Sequence, residues 1–184
     1  MKNTSIYNKI REIVFVTGNL NTRTKINGLA EIISSKPEFF IYYRRNDRGV
    51  VSEFPCHSST IRQKIRFCIA LGLIENEDDC RLTEFGREAQ IEEKFDFVLQ
   101  QRILEFLDKR GVTWDSIKKS IESIPLPSPI NLYKNIKPPI SFEVFRSCMY
   151  LLSICGENNE ENILEHFQQK LYLTRDKYES AIKA

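Results

Sequence analysis

Apolar residues Ile6, Ile10, Ile13 and Val14 recur at helical spacing and run up to Gly18-Asn19, so the pattern predicts a first helix that closes there. Ile26, Leu29, Ala30 and Ile33 share a face of a second helix, with Thr22 placed to cap its start and Ser34-Ser35-Lys36-Pro37 to end it. The period then changes. FFIYYRRNDRGVVSEF is β-branched and aromatic on either side of Asn46-Asp47-Arg48-Gly49, which reads as a hairpin with a four-residue turn, closed by Pro55. Ile61, Ile65, Cys68, Ile69 and Leu73 then fall on one side of a third helix, for which Ser58 and Ser59 are both candidate N-caps. A strand ending in Leu73-Ile74, an acidic turn and a returning strand from Cys80 to Thr83 follow it.

The second half repeats this order. FVLQQRILEFLDKRGVTWDSIKKSIESI aligns with residues 6–33 without gaps, pairing Ile13 with Leu104, Thr22 with Thr113, Ile26 with Ile117 and Ile33 with Ile124. RFCIALGLI from Arg66 aligns with RSCMYLLSI from Arg146, and RLT ending at Thr83 with YLT ending at Thr174. The hairpin is replaced by the proline-rich PLPSPINLYKNIKPPI, and the second wing, ENNEENILEHFQQK, is longer, so length changes fall in loops. REAQIEEKFD, residues 87–96, contains no Gly, Pro or Ser and reads as a helical junction between the halves.

Length and composition narrow the class. A chain of 184 residues with 41% hydrophobic residues can bury one large core or two small ones. Its formal charge of +2 comes from 27 basic and 25 acidic side chains, so any attraction to a polyanion must be local. The start, MKNTSIYNKIREIVFVTGN, fits neither a secretory signal nor a transmembrane span, and no membrane role is expected. Cys56, Cys68, Cys80, Cys148 and Cys155 are odd in number and lack a C-x-x-C pair, which points to reduced core thiols in a cytoplasmic, reducing setting.

Catalytic signatures do not emerge. His57 and His166 stand far apart and outside any metal spacing, and a zinc set from Cys56, His57 and Cys80 lacks the paired ligands such sites use. There is no Gly-rich phosphate loop, nuclease-type acidic run or nucleophile elbow, and Glu92-Glu93 and Glu160-Glu161 read as solvated charge. A non-enzyme without metal or cofactor is therefore expected.

A helix ending in ALGLIE, a short charged turn and the segment RLTEFGREA resemble the third helix and wing of winged-helix domains. Gly72, Leu73, Ile74, Leu82, Thr83 and Gly86 occupy the places of that family's motif. The resemblance is close over residues 58–89 and loose over most of 1–90. The second half departs from it, with Leu152 in place of the glycine and Lys177 where Gly86 would align. It implies a mainly α fold with small β-wings, of α+β class, in two tandem winged-helix domains. These are 1–90, with a β-hairpin inserted at about 38–54, and a divergent 91–184.

Winged-helix domains place the third helix in the major groove and the wing along the backbone or minor groove, as helix-turn-helix relatives do. They also serve as protein-docking modules, so the fold alone does not choose. With Ile61, Ile65, Cys68 and Ile69 inward, Thr60, Arg62, Gln63 and Arg66 project outward from the first two turns. Arg suits guanine and Gln suits adenine in bidentate pairing, Ser58, Ser59 or Thr60 suits a phosphate at the helix start, and Lys64 sits at the flank. Arg44, Arg45 and Arg48, beside Tyr42 and Tyr43, make the hairpin tip a second basic projection; an edge hairpin kept soluble by its charges reads as well.

Glu75, Glu77, Asp78 and Asp79 argue the other way, since phosphates are met by cations. The helix around Phe142–Leu152 is apolar nearly all round and reads as buried or as a surface for a protein partner or self-association. Lys118, Lys119, Lys134 and Lys137 add weaker phosphate candidates in that half. The expected function is sequence-specific binding of double-stranded DNA, as a transcriptional regulator or as the recognition component of a DNA-processing or restriction-like defence system. Tandem winged-helix recognition segments also resemble those of some type IIS restriction enzymes. The alternative is a non-catalytic interaction subunit of a larger complex.

Overall fold

The computed structural model describes residues 6–35, 40–122 and 135–155. The chain forms two compact units, Met1–Val98 and Leu99–Ala184. Among the described residues it is mainly helical with a small two-stranded antiparallel sheet, consistent with the α+β class. No helix among the described residues is long and apolar enough to cross a membrane.

In the first unit, α1 (Ile6–Gly18), α2 (Ile26–Ser34) and α3 (Ser58–Ala70) turn their apolar faces together. Ile10, Ile13, Leu29, Ala30, Ile33, Ile61, Ile65 and Cys68 are fully enclosed. Between α2 and α3, β1 (Ile41–Arg45) pairs with β2 (Val51–Pro55) in the register Arg45 to Val51 and Ile41 to Pro55. The hairpin is rooted by buried Phe40, whose carbonyl accepts from the Cys56 amide at 2.7 Å, while β2 is exposed along its length.

α2 does not use Thr22 as its cap. The helix starts at Ile26, with Lys25 at the N-cap and no side-chain capping bond. A backbone partner does that work: the Ile26 amide donates to the Glu77 carbonyl at 2.9 Å, and the Cys80 amide donates to the Thr24 carbonyl at 2.8 Å. The acidic turn thereby satisfies one of the amides that a helix start leaves open. Nor do Ser58 and Ser59 cap α3; His57 holds that position without a side-chain bond, and both serines lie inside the first turn.

The end of α3 follows the glycine in GLIE. Gly72 adopts a left-handed φ of +76°, the Leu73 amide donates to the Cys68 carbonyl at 3.0 Å and the Gly72 amide to the Ile69 carbonyl at 2.9 Å. This paired bonding closes a helix where the chain must reverse, and glycine adopts that φ without steric cost. The expected wing strands are reduced to one bridge, Ile74 to Leu82, flanked by backbone bonds between Glu75 and Arg81 and between Leu73 and Thr83. Asn76 is the reason: its side-chain oxygen accepts from the Asp78 and Asp79 amides at 3.0 and 2.8 Å and curls the chain before strands can lengthen.

The expected helical junction over 87–96 is broken into α4 (Glu84–Ala89), a 3-10 turn (Glu92–Lys94) and the start of α5 (Phe95–Asp108), within which the two units divide. In the first unit Tyr7 meets Phe95 edge-on at 5.3 Å, and Arg11 pairs with Glu92 at 2.8 Å, tying α1 to this region.

The second unit contains most of α5, α6 (Trp114–Glu122) and α7 (Phe142–Cys155). Thr113 does cap α6, accepting from the Ser116 amide at 3.1 Å, although its aligned residue Thr22 caps nothing. The gapless alignment fails on burial. It sets enclosed Ile10 on exposed Gln101 and enclosed Ile13 on half-buried Leu104. Moving α5 by two residues restores agreement, with Ile10, Ile13 and Val14 matched by enclosed Ile103, Phe106 and Leu107. The connection into α6 is then two residues shorter than that into α2, and Gly111, with a φ of +81°, makes the tight exit from α5.

Phe145, Met149, Leu151 and Leu152 of α7 lie in the interior, and Phe142 and Val144 are half-buried. Much of the apolar character of this helix is therefore accounted for by burial within its own unit. The pairing of Ile33 with Ile124, the second wing, Thr174, Lys177, Lys134 and His166 lie outside the described residues.

Candidate nucleic-acid interface

α3 is two-sided. Ile61, Ile65, Phe67 and Cys68 are buried, while Ser58, Ser59, Gln63 and Arg66 are exposed and Thr60, Arg62 and Lys64 are half-buried. The buried arc differs at one step from that expected, because Phe67 is enclosed and Ile69 half-exposed; α3 packs against both α1 and α2, which widens its inner face. Ser58, Arg62 and Arg66 follow one another at successive turns, and an Arg62 Nη1–H donates weakly to Ser58 Oγ at 3.4 Å.

Lys64 belongs less to this face than its sequence position suggests. Burial lowers its pKa from the ordinary lysine value, and neighbouring Lys9 of α1 lowers it further. A lysine set between helices keeps its stem on apolar surface and has less reach toward a phosphate.

Arg66 has a partner that periodicity could not reveal. Its Nε–H donates to Glu77 Oε1 at 2.5 Å, across 11 residues of chain, with both side chains about half exposed. Asp79 turns inward, 8% exposed, and accepts from Arg81 Nε–H at 2.7 Å and from an Arg81 Nη2–H, with Arg23 Nε 3.9 Å away. The hydrogen bond from Arg81 is the main reason the Asp79 carboxyl is held below the usual carboxylate range; the charges of Arg81 and Arg23 add to it. Two of the four turn carboxylates are thus matched by arginines, leaving Glu75 and Asp78 exposed. Counting acids along the turn overstates its negative field, because composition does not show which ones fold back onto cations.

The hairpin carries Arg44, Arg45 and Arg48 exposed, with Asp47 among them. Its turn is tied by Asn46, whose Oδ1 accepts from the Arg48 amide at 3.0 Å and the Val50 amide at 2.9 Å, while Gly49 takes a φ of +78°. Those bonds hold the arginine-bearing loop in one shape without help from the core. Two residues, Cys56 and His57, join β2 to the start of α3, so the base of the hairpin and the first turn of α3 are neighbours in the chain. Five residues of strand carry the tip roughly 17 Å from that base.

In the second unit, Lys118 Nζ lies 5.4 Å from the Trp114 ring, and Lys119, Lys137 and Arg146 are exposed. Among the described residues no group of three or more His, Cys, Asp or Glu could hold a metal ion. The five cysteines are free thiols. Burial pushes the Cys68 and Cys148 thiols up to about 12, and burial followed by the charges of Asp79, Glu77 and Asp78 pushes Cys80 up to about 11, so these thiols are poor nucleophiles. No protein-family model, no curated protein and no solved structure matches this chain.

Proposed function

We propose that this chain is a sequence-specific binder of double-stranded DNA built on two tandem winged-helix domains, acting as a regulator or as the recognition component of a DNA-processing system. The observation that carries the reading is α3, whose inner side is core and whose outer side presents Ser58, Ser59, Gln63 and Arg66, with Thr60 and Arg62 beside them. These side chains can pair with base edges and anchor on phosphate. Arg44, Arg45 and Arg48 would hold the backbone or enter a groove. The inward turn of Asp79 and the pairing of Glu77 reduce the objection raised by the acidic wing.

A docking role has its own observation. Phe15 is 53% exposed beside a groove of about 380 Å³ between α1 and the segment Ala89–Glu92, and Phe85 and Ile91 are exposed nearby in the chain. Selection from random duplex DNA decides between the readings. The DNA reading expects an enriched sequence with salt-dependent affinity, lost in the Arg62→Ala/Arg66→Ala double variant. Absence of salt-dependent binding by the wild type rejects that reading and leaves docking.

A further inference from the structure

We infer that Glu77 is a positioning residue that fixes the Arg66 guanidinium for end-on pairing with one guanine, an inference that rests on the DNA reading of α3. A guanidinium offers five N–H donors in a rigid fork. Glu77 Oε1 takes the one on Nε, at 2.5 Å, which leaves the terminal Nη1 and Nη2 groups to meet O6 and N7 of guanine together. Arginine has many rotamers, and a side chain held before binding loses less freedom on binding.

The carboxylate stands on a fixed base. The Glu77 carbonyl accepts from the Ile26 amide at 2.9 Å, and the Asn76 side chain binds the next two amides, so the turn that carries Glu77 is bonded to the start of α2 and to itself. The pair is formally neutral and adds nothing to phosphate attraction. Its contribution is to reading bases and not to general affinity. An exposed ion pair also adds little to stability, so removing the Glu77 side chain should leave the fold intact.

The test is selection from random duplex DNA by the full chain and four variants, with thermal melting as the check on folding. Arg66→Ala identifies the guanine position that depends on this arginine. Glu77→Ala is expected to lower the preference at that same position roughly tenfold while raising affinity for unrelated duplex a few-fold. Glu77→Gln, which keeps an acceptor oxygen for Nε–H, is expected to retain most of the preference. Glu75→Ala removes an equal charge from the same turn and is expected to leave it unchanged. Retention of the guanine preference in Glu77→Ala overturns the inference, as does equal loss in Glu75→Ala or in Glu77→Gln. If the wild type enriches no sequence, the DNA reading itself fails, an outcome distinct from enrichment that ignores Glu77.

Discussion

Thr83 caps α4 and ties its start to the segment that leaves α3. The Thr83 hydroxyl donates to the Gly72 carbonyl at 2.5 Å and accepts from the Gly86 amide at 3.1 Å, while the Thr83 amide donates to the Leu73 carbonyl at 3.1 Å. A Cβ on Gly86 would sit 2.1 Å from the Leu73 oxygen, inside any permitted contact. Gly86→Ala should therefore cost ~3 kcal/mol or more in urea unfolding, because backbone has to move. Thr83→Val, which keeps the shape and loses the cap, should cost about 1–2 kcal/mol. Thiol chemistry gives a second residue-scale prediction. Cys56 is half-buried, whereas burial raises Cys68 and Cys148 to about 12 and Cys80 to about 11. A thiol reagent applied to the native protein at pH 8 should modify Cys56 first, and Cys56→Ser should remove that fast phase. Gly72, Thr83 and Gly86 were legible as a motif in the sequence; the reason for the second glycine was not, since the Leu73 carbonyl it must clear is a fact of three-dimensional packing. Glu77 was legible only as an acid, because no periodicity links a turn residue to a helix residue before it.

Among the elements, the acidic turn has its own pH dependence. Asp79 titrates below its ordinary value of 3.8 in the folded chain. Its contribution to stability is thus fully present above that value and is lost as pH falls through the lower native one. The melting temperature should drop on this acid limb, and Asp79→Asn should flatten the drop while lowering stability at neutral pH, as followed by circular dichroism. Helices α1, α2 and α3 could be read from spacing because each buries one face against the others, and burial is what hydrophobic period records. Their starts could not. The first amide of α2 finds its acceptor in Glu77, a residue far along the chain, so no cap is written beside the helix. The expected alignment of the two halves failed on burial for a similar reason: amphipathic helices match at several offsets, and the enclosed residues of α5, Ile103, Phe106 and Leu107, agree with those of α1 at a different offset.

For the molecule as a whole, a formal charge of +2 makes long-range attraction to a polyanion weak, so the proposed phosphate binding depends on local clusters. If Arg44, Arg45 and Arg48 all meet phosphates, replacing the three with alanine should reduce the slope of log affinity against log salt by about 2.7. Fluorescence anisotropy between roughly 50 and 200 mM salt measures this; an unchanged slope places the hairpin away from the backbone. β2 lies open to solvent, and the arm is rooted through Phe40 and its bond to Cys56. Core and arm consequently answer to separate selections. Substitutions at the tip can accumulate without eroding the folded state, so on the proposed DNA reading the hairpin is the segment through which a descendant of this chain would acquire a new target while its three-helix body stays the same.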